Sequence, residues 1–474
     1  SYIYSYSFDE ELDQEWEWPE RYSRQPTILR YLERVAERHD LRRDIKFETR
    51  VIAADFDEDS NLWAIKTNTG EKLEARFFVM ATGCLSVPKQ PNFDGLDTYK
   101  GSWYHTGRWP HDGVDFKGKR VGVVGTGSTA IQAIPIIAEQ AEHLTVFQRT
   151  ANFSVPAWNH QISEVQQAKW KADYPNIRRQ TRWSNSGTTS VVNPRRACDM
   201  SPDERESELE TRWYGGSFEM LSAFEDMMTN EEANAVAVDF VHRKIKERVK
   251  DPIVAELLCP KDHPFGTKRL CVDSEYFETY NRDNVELIDI KNSPVERITA
   301  AGILVKGEEY RLDIIVFAIG FDAMTGPLLD VDIRGRGGVR LADEWVDGPT
   351  NYLGISVSGF PNLFTITGPG SPSVLTNMPV AIEQHVEWVS DCIADLNKQN
   401  LSRIEATQDA QEKWVEHVFT TAHETLYPKA NSWYVGANIP GKPRIFTPYV
   451  GTCEEYRKHC DEIRQSDYRG FRLS

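Results

Sequence analysis

Gly125, Gly127 and Ala130 follow the spacing G-x-G-x-x-A where an apolar run, Lys119 to Val124, gives way to a helical pattern from Ala130 to Glu139. A glycine at 125 permits a tight turn. The bare α-carbon of Gly127 lets the backbone approach a pyrophosphate, and Ala130 lets the helix lie close to the strand. The helix N-terminus then offers unsatisfied N–H groups to the anion. A second apolar run, His143 to Gln148, ends in Arg149-Thr150, about two dozen residues beyond the first glycine. A site for NAD would carry Asp or Glu there for the ribose 2′-hydroxyl, whereas a guanidinium suits a 2′-phosphate. The pattern predicts NADPH, with a surface arginine at a strand end as the plain alternative.

A strand ladder must stand behind such a turn, and the chain supplies two. Residues 45 to 55 alternate as a strand. Leu62 to Thr67 and Leu73 to Gly83 then form a meander that ends in FFVMATG. The same order returns at Val285 to Ile290 and in VERITAAGILVKGEEYRLDIIVFAIG, residues 295 to 320. The repeat predicts a doubly built α/β protein, with two Rossmann-like three-layer dinucleotide-binding domains. The second copy has its glycine turn upstream at Gly125. The forty residues before the first copy hold none. The expectation is therefore a first domain truncated at its N-terminus, its nucleotide turn lying before Ser1.

In those first residues Gln25-Pro26 opens a helix in which Ile28, Leu29, Leu32, Val35 and Ala36 keep helical spacing. Residues 153 to 264 turn charged and helical. Ser201 with Glu204, and Thr229 with Glu232, read as capping boxes. This stretch is expected to be a helical insertion, about 155–264. The Pro/Gly-rich segments 85–96 and 320–329 are expected to cross between domains. Pro361 to Thr367 reads as a buried strand, followed by a helix from about Val380 to Leu396. The predicted partition is 1–86 for the first part of one domain, 87–321 for the NADPH domain, and 322–474 for the return to the first.

Length, at 474 residues, requires more than one core. The net charge of −17 argues against nucleic acid or an anionic membrane as a general partner. The seven cysteines show no C-x-x-C and suit a reducing, cytoplasmic setting. No His, Cys or carboxylate spacing suggests a metal, and no long apolar span appears.

Upstream of the glycine turn, Tyr99-x-Gly101-x-x-x-His105-Thr106-x-x-Trp109-Pro110 resembles the Baeyer–Villiger monooxygenase signature F-x-G-x-x-x-H-x-x-x-W-[PD], with Tyr for Phe. PFGTKRL (264–270), GPGSPSVLTNM (368–378), IEQHVEW (382–388) and SWYVGANIPGKPR (432–444) resemble segments of the phenylacetone-oxidising type within that family. The resemblance implies an FAD- and NADPH-dependent enzyme that inserts one oxygen of dioxygen beside a ketone carbonyl through a flavin peroxide, giving an ester or lactone. It implies that Arg269 stabilises the peroxide, a task that suits a permanently charged guanidinium. Thr126, Gly127, Ser128, Thr129 and Gln132 match the pyrophosphate turn. Arg149, Thr150 and Lys268 match the 2′-phosphate site, and Trp433 matches a loop residue that touches NADPH. Tyr4, Val51 and Met378, with the strand end 81–83, match FAD contacts. Cys84, Leu85, Ser373, Val374 and Leu375 match the substrate pocket, with Cys84 where that type has Gln and with Val374 also changed. Gly101, His105 and Trp109 belong to a signature that acts through interdomain coupling. Ile319 stands where the family motif has Thr. The substrates implied are a small ketone and dioxygen, with a monomer plausible. Alternatives are a related flavin N-hydroxylating monooxygenase, which the signature disfavours, and a catalytically incompetent NADPH-binding fragment.

Overall fold

The computed structural model describes residues 1–474. Ahead of the first strand lie α1 (Glu10–Glu15) and α2 (Gln25–Arg38). The Asp9 carboxylate caps α1 by accepting the Leu12 N–H. Along α2, Tyr31 and Val35 pack on Leu12 and Trp18. Ile28, Leu29 and Leu32 remain exposed, so of the predicted stripe only Val35 is buried and Ala36 half-buried.

The first strand–meander unit comprises β1 (Val51–Asp57), β2 (Leu62–Thr67), β3 (Lys72–Ala75) and β4 (Phe78–Met80). The expected strand start at residue 45 is too early. Glu48 takes a left-handed conformation, φ 54°, which breaks an extended run before Val51. Next come β5 (Ser102–His105), β6 (Arg120–Val124), α3 (Ser128–Gln140), β7 (His143–Gln148) and β8 (Ser154–Pro156). The helical stretch contains α4 (Glu164–Arg182), α5 (Pro202–Gly215), α6 (Glu231–Arg248) and α7 (Pro252–Leu258). Then follow β9 (Cys271–Asp273), α8 (Tyr276–Thr279) and β10 (Val285–Asp289). The second unit is β11 (Arg297–Ile298), β12 (Gly302–Val305), β13 (Glu308–Arg311) and β14 (Ile314–Phe317). The remainder holds α9 (Gly326–Leu329), β15 (Asp332–Arg334), α10 (Leu341–Glu344), β16 (Leu363–Thr365) and α11 (Met378–Lys398). It ends with β17 (Ile404–Ala406), α12 (Gln408–His423), α13 (Cys453–Gln465) and β18 (Phe471–Leu473).

Five parallel strands form the sheet behind the glycine turn, in the order β10–β7–β6–β14–β5. β1 to β3 form a second sheet with β15, which runs parallel to β1, and β16 pairs in parallel with β4. The chain after residue 330 thus returns to the strands before residue 81. The two connecting segments lie against each other. Lys89 N–H donates to Gly320 O at 3.0 Å, Asp322 N–H to Val87 O at 2.9 Å, and Met324 N–H to Cys84 O at 2.9 Å.

Ser201 and Glu204 form the predicted reciprocal cap of α5. Thr229 does not cap α6. Asn230 does, because its side-chain oxygen accepts from both Glu232 N and Ala233 N. The helical stretch is also divided in its packing. Residues of α5 to α7 share a core with Ile131, Ile134, Val121 and Val146 of the parallel sheet and α3. By contrast α4 docks on the first residues: Arg178 pairs with the Asp13 carboxylate and the Gln167 amide donates to Trp18 O at 2.9 Å. Helix α11 starts two residues earlier than expected, since Pro379 fits its first turn without a lost N–H bond.

Candidate functional site

Strand β6 is buried along Val121 to Val124 and delivers the chain into the turn at Gly125. There φ is +112°, and a β-carbon would sit 2.5 Å from Ala318 O, so only glycine fits. Gly127 caps α3 with no side-chain bond, and a β-carbon there would meet nothing. The first N–H groups of α3 therefore face open space, as an anion requires. Thr126 is buried and its hydroxyl donates to Thr150 O at 2.7 Å, while Asn152 Nδ2 donates to Thr126 O at 2.7 Å. These bonds tie the turn to the residues just after Arg149. Gln132 Nε2 donates to Ser128 Oγ at 3.2 Å, which places both on the outer face of α3. Thr129 lies beside them in the first turn.

At the end of β7 the Gln148 side chain is buried and donates to Leu257 O at 2.8 Å. Arg149 is exposed beside it. Lys268 and Lys89 lie near this guanidinium, and Lys291 joins Lys268 at Asp262. Lys268 is held below the usual lysine range by burial, with the Arg149 and Lys291 charges acting in the same direction and Asp262 against them. Lys89 is lowered by burial and by Arg149. The Asp262 carboxylate lies 3.9 Å from Lys268 Nζ, 3.5 Å from Lys291 Nζ and 2.7 Å from His263 Nδ1. His263 first, then the lysines, hold its carboxyl far below the carboxylate range. A locally cationic site thus stands on an acidic protein. Lys89, Lys291 and Asp262 were not predicted, because no local pattern marks a charge that arrives from a distant loop.

Arg269 precedes β9. Its Nη1 donates to Val374 O at 2.7 Å, and its guanidinium lies over the Phe218 ring at 4.7 Å. The Val374 carbonyl is presented by a 3₁₀ turn, Ser373–Leu375, in which Ser373 takes φ 41° and its hydroxyl donates to Thr367 O at 3.2 Å. Cys84, Val374, Tyr434 and Phe446 form one buried cluster, with Leu375, Met378, Tyr427 and Trp433 packed on it. Burial pushes the Cys84 thiol up, against the Ser373 hydroxyl and the Arg269 charge. Burial likewise raises Tyr434, and Tyr427 to about 12, in both cases opposed by Arg269. Tyr4 exposes half its surface, yet its hydroxyl faces the Met378 backbone, Arg269 and Cys84. Residues from five distant segments therefore converge on one guanidinium. Leu85 is exposed at the edge of this group. Val51 stands apart, paired with Thr67 at the start of β1. Phe218, Tyr427 and Asn377 belong to the site without having been predicted.

The N-terminus of α11 has no side-chain cap. Asn377 is buried and spends its amide on Ile3 O at 2.6 Å and Gly187 O at 3.0 Å, which leaves its Oδ1 without a partner. Ala81, Thr82 and Gly83 are exposed at the end of β4. Uncapped N–H groups, an orphaned buried oxygen and an open strand end together suit the ring of a large polar cofactor, with donors and acceptors at its edge.

Around the signature, Gly101 has no room for a side chain, since a β-carbon would lie 2.5 Å from Asp313 O. Tyr99 Oη donates to Leu312 O at 3.0 Å, so Tyr serves at the Phe position through an extra bond. His105 is buried at the end of β5; its Nδ1 accepts the Gly107 N–H at 2.9 Å, and its ring meets Phe321 edge-on at 6.3 Å. Burial, with Arg108 nearby, lowers its pKa, so the ring is neutral near pH 7. It contacts the crossing segment and not Arg269. Trp109 lies between Tyr104 and Phe116.

No helix is long and apolar enough to cross a membrane, and no cluster of three His, Cys, Asp or Glu side chains could hold a metal. Residues 7–179 match a family model described as pyridine nucleotide-disulphide oxidoreductase. A Baeyer–Villiger monooxygenase of Pseudooceanicola batsensis is 44% identical over 99% of this chain and 86% of its own length. A solved structure of an oxidised steroid monooxygenase bound to NADP is 50% identical, with a TM-score of 0.96, covering 100% of this chain and 89% of that one. The OTEMO enzyme in complex with FAD and NADP is 41% identical with a TM-score of 0.96, covering 100% of this chain and 90% of that one. With the signature, the glycine turn and these relatives in agreement, the chain belongs to the Baeyer–Villiger monooxygenase family.

Proposed function

We propose that the protein is an FAD- and NADPH-dependent Baeyer–Villiger monooxygenase that turns a small ketone into an ester or lactone. The overall balance is ketone, dioxygen, NADPH and a proton to ester, NADP+ and water. The observation that carries the reading is Arg269, whose guanidinium is fixed by Val374 O at 2.7 Å among Cys84, Tyr4 and Tyr434. In this reading residues 1–86 and 322–474 form the FAD side and residues 87–321 the NADPH side.

Bound flavin supplies the electrons that activate dioxygen, one of whose atoms enters the ketone. Tyr4, Val51, Met378 and the 81–83 strand end would contact it, with the N-terminus of α11 offering N–H groups. The turn 126–129 and Gln132 hold the NADPH pyrophosphate. Arg149, Thr150 and Lys268 hold the 2′-phosphate. Trp433 would touch NADPH. Arg269 places a fixed positive charge where negative charge gathers on the reacting oxygens. Cys84, Leu85, Ser373, Val374 and Leu375 shape the ketone pocket, and Cys84 and Val374 set a specificity of this chain's own. Gly101, His105 and Trp109 position the crossing segment. Seven unpaired cysteines suit work in the cytoplasm.

The test is the visible absorbance of the purified chain mixed with FAD, followed by NADPH oxidation with phenylacetone as probe ketone. A bound-flavin spectrum and ketone-dependent ester are expected. NADPH oxidation without ester, or oxygenation of an amine instead, would overturn the ketone reading.

A further inference from the structure

The segment 432–444 carries Trp433 and Tyr434 into the Arg269 cluster at one end. Its other end is bound elsewhere. Lys442 Nζ reaches the Asp322 carboxylate at 2.6 Å and Ala323 O at 2.8 Å. Asn438 Nδ2 donates to Phe321 O at 2.7 Å, and Lys89 Nζ donates to Asn438 O at 3.0 Å. Every one of these partners lies in the paired crossing segments, 84–89 and 320–324. Phe321 also meets the His105 ring, and Lys89 lies in the field of Arg149.

These contacts are not surface ornament. The Lys442 side chain is only 16% exposed and Asp322 34%, so the ion pair is shielded and its geometry is fixed by the second bond to Ala323 O. Gly436 (φ +71°) and Gly441 (φ +78°) turn the segment back on itself between its two attachment points. Release of Lys442 would leave this end of the segment held through Asn438 alone, while Tyr434 would keep its packing and the two bonds from Thr447 to its carbonyl.

We infer that Lys442 and Asp322, with Asn438 and Lys89, form a clasp that holds segment 432–444 to the domain crossing and thereby positions Trp433 for the nicotinamide cofactor and Tyr434 for Arg269. These are positioning residues; none touches the reacting atoms. The cofactor half of the inference rests on the proposed function, whereas the clasp itself rests on the contacts alone. It accounts for how a signature histidine that faces away from Arg269 bears on that site. His105 fixes Phe321, and Phe321 O is where Asn438 is held.

Three full-length variants test it: Asp322→Asn, Lys442→Met and the reversed pair Asp322→Lys/Lys442→Asp. The readouts are the rate of chymotryptic cleavage within 432–446, NADP+ affinity from tryptophan fluorescence, and KM for NADPH against kcat in the FAD-loaded enzyme. Each single variant is expected to raise cleavage and KM about tenfold, the effect of one charge-assisted bond, with kcat changed less than about twofold. The reversed pair is expected to recover much of both. Unchanged cleavage in the single variants, or a reversed pair as loose as the sum of the two, would overturn the clasp. If the wild type oxidises no NADPH at all, the proposed function fails while the cleavage comparison still decides the clasp.

Discussion

The two strand–meander units are built alike and supported differently. In the second unit, β14 lies inside the parallel sheet between β6 and β5, and all four of its residues are buried. Its partners β6 and β5 lie within about two hundred residues of chain, alongside the glycine turn they serve. In the first unit, β4 finds its partner in β16, and β1 finds β15, both roughly 280 residues later. Val79 at the centre of β4 is 40% exposed, and the strand end 81–83 is open. One motif thus makes a self-sufficient nucleotide platform in one place and half of an assembled site in the other. The proposed chemistry sits with the assembled half, where Arg269, the 3₁₀ turn Ser373–Leu375 and segment 432–444 gather beside Cys84, just past the end of β4.

The comparison breaks most sharply if the two platforms are loaded separately. The double variant Arg149→Ala/Lys268→Ala is expected to weaken NADPH binding about a thousandfold, since two charge-assisted contacts are lost, while NADH binding and the bound-flavin spectrum stay unchanged. Parallel titrations with NADPH and NADH check it. Equal losses for both nucleotides would remove Arg149 and Lys268 from the 2′-phosphate.

Acid should loosen the first unit before the second. His385 on α11 is fully enclosed behind β16; its Nδ1 accepts the Thr367 N–H at 3.0 Å, and its Nε2 donates to Tyr456 Oη at 2.8 Å. Burial lowers its pKa from 6.5 to about 4. The unfolded chain therefore binds the extra proton between those values, and stability is lost as pH falls from 6.5 to about 4, by up to about 3 kcal/mol. Urea unfolding across that range, compared with His385→Gln, checks the sign. A His385→Gln variant with the same acid slope would assign the loss to other groups.

The smallest effect concerns the glycines that end the two units. Gly83 (φ +69°) and Gly320 (φ +84°) are both left-handed, and a β-carbon at either would meet nothing. Gly83→Ala and Gly320→Ala should therefore cost about the same, roughly 1 kcal/mol each from backbone strain alone. Gly125→Ala should cost more, because its β-carbon would strike Ala318 O. Unequal costs at 83 and 320 would mean the units differ at their ends as well as in their partners.

How far the sequence could be read follows the same division. The β6–turn–α3 unit and Arg149 were legible because strand alternation, glycine spacing and helix period lie in one continuous stretch. The parallel pairing of β4 with β16 was only suggested, since a three-residue strand such as Leu363–Thr365 has no periodicity to show. Thr229 looked like a cap because Ser/Thr-x-x-Glu is the common pattern; Asn230 took the role with an oxygen that reaches two N–H groups at once. Arg269 was found through the resemblance. Its setting was not legible, because Phe218, Val374 and Tyr434 come to it from segments far apart in the chain. Likewise nothing local marks Lys442 as the partner of Asp322. The docking of α4 on the first residues rests on the Arg178–Asp13 pair, the Gln167 bond to Trp18 O and the stacking of Tyr2 on Trp170, which no spacing rule could join.

The most direct measurement is mass spectrometry of the product formed by the FAD-loaded chain from phenylacetone and NADPH under ¹⁸O₂, with the Arg269→Ala variant run beside it. An ester carrying one labelled oxygen is expected, with formation about a hundred- to a thousandfold slower in the variant and NADP+ binding retained. Label that never enters the ketone, or an Arg269→Ala variant that makes ester at the wild-type rate, would contradict it.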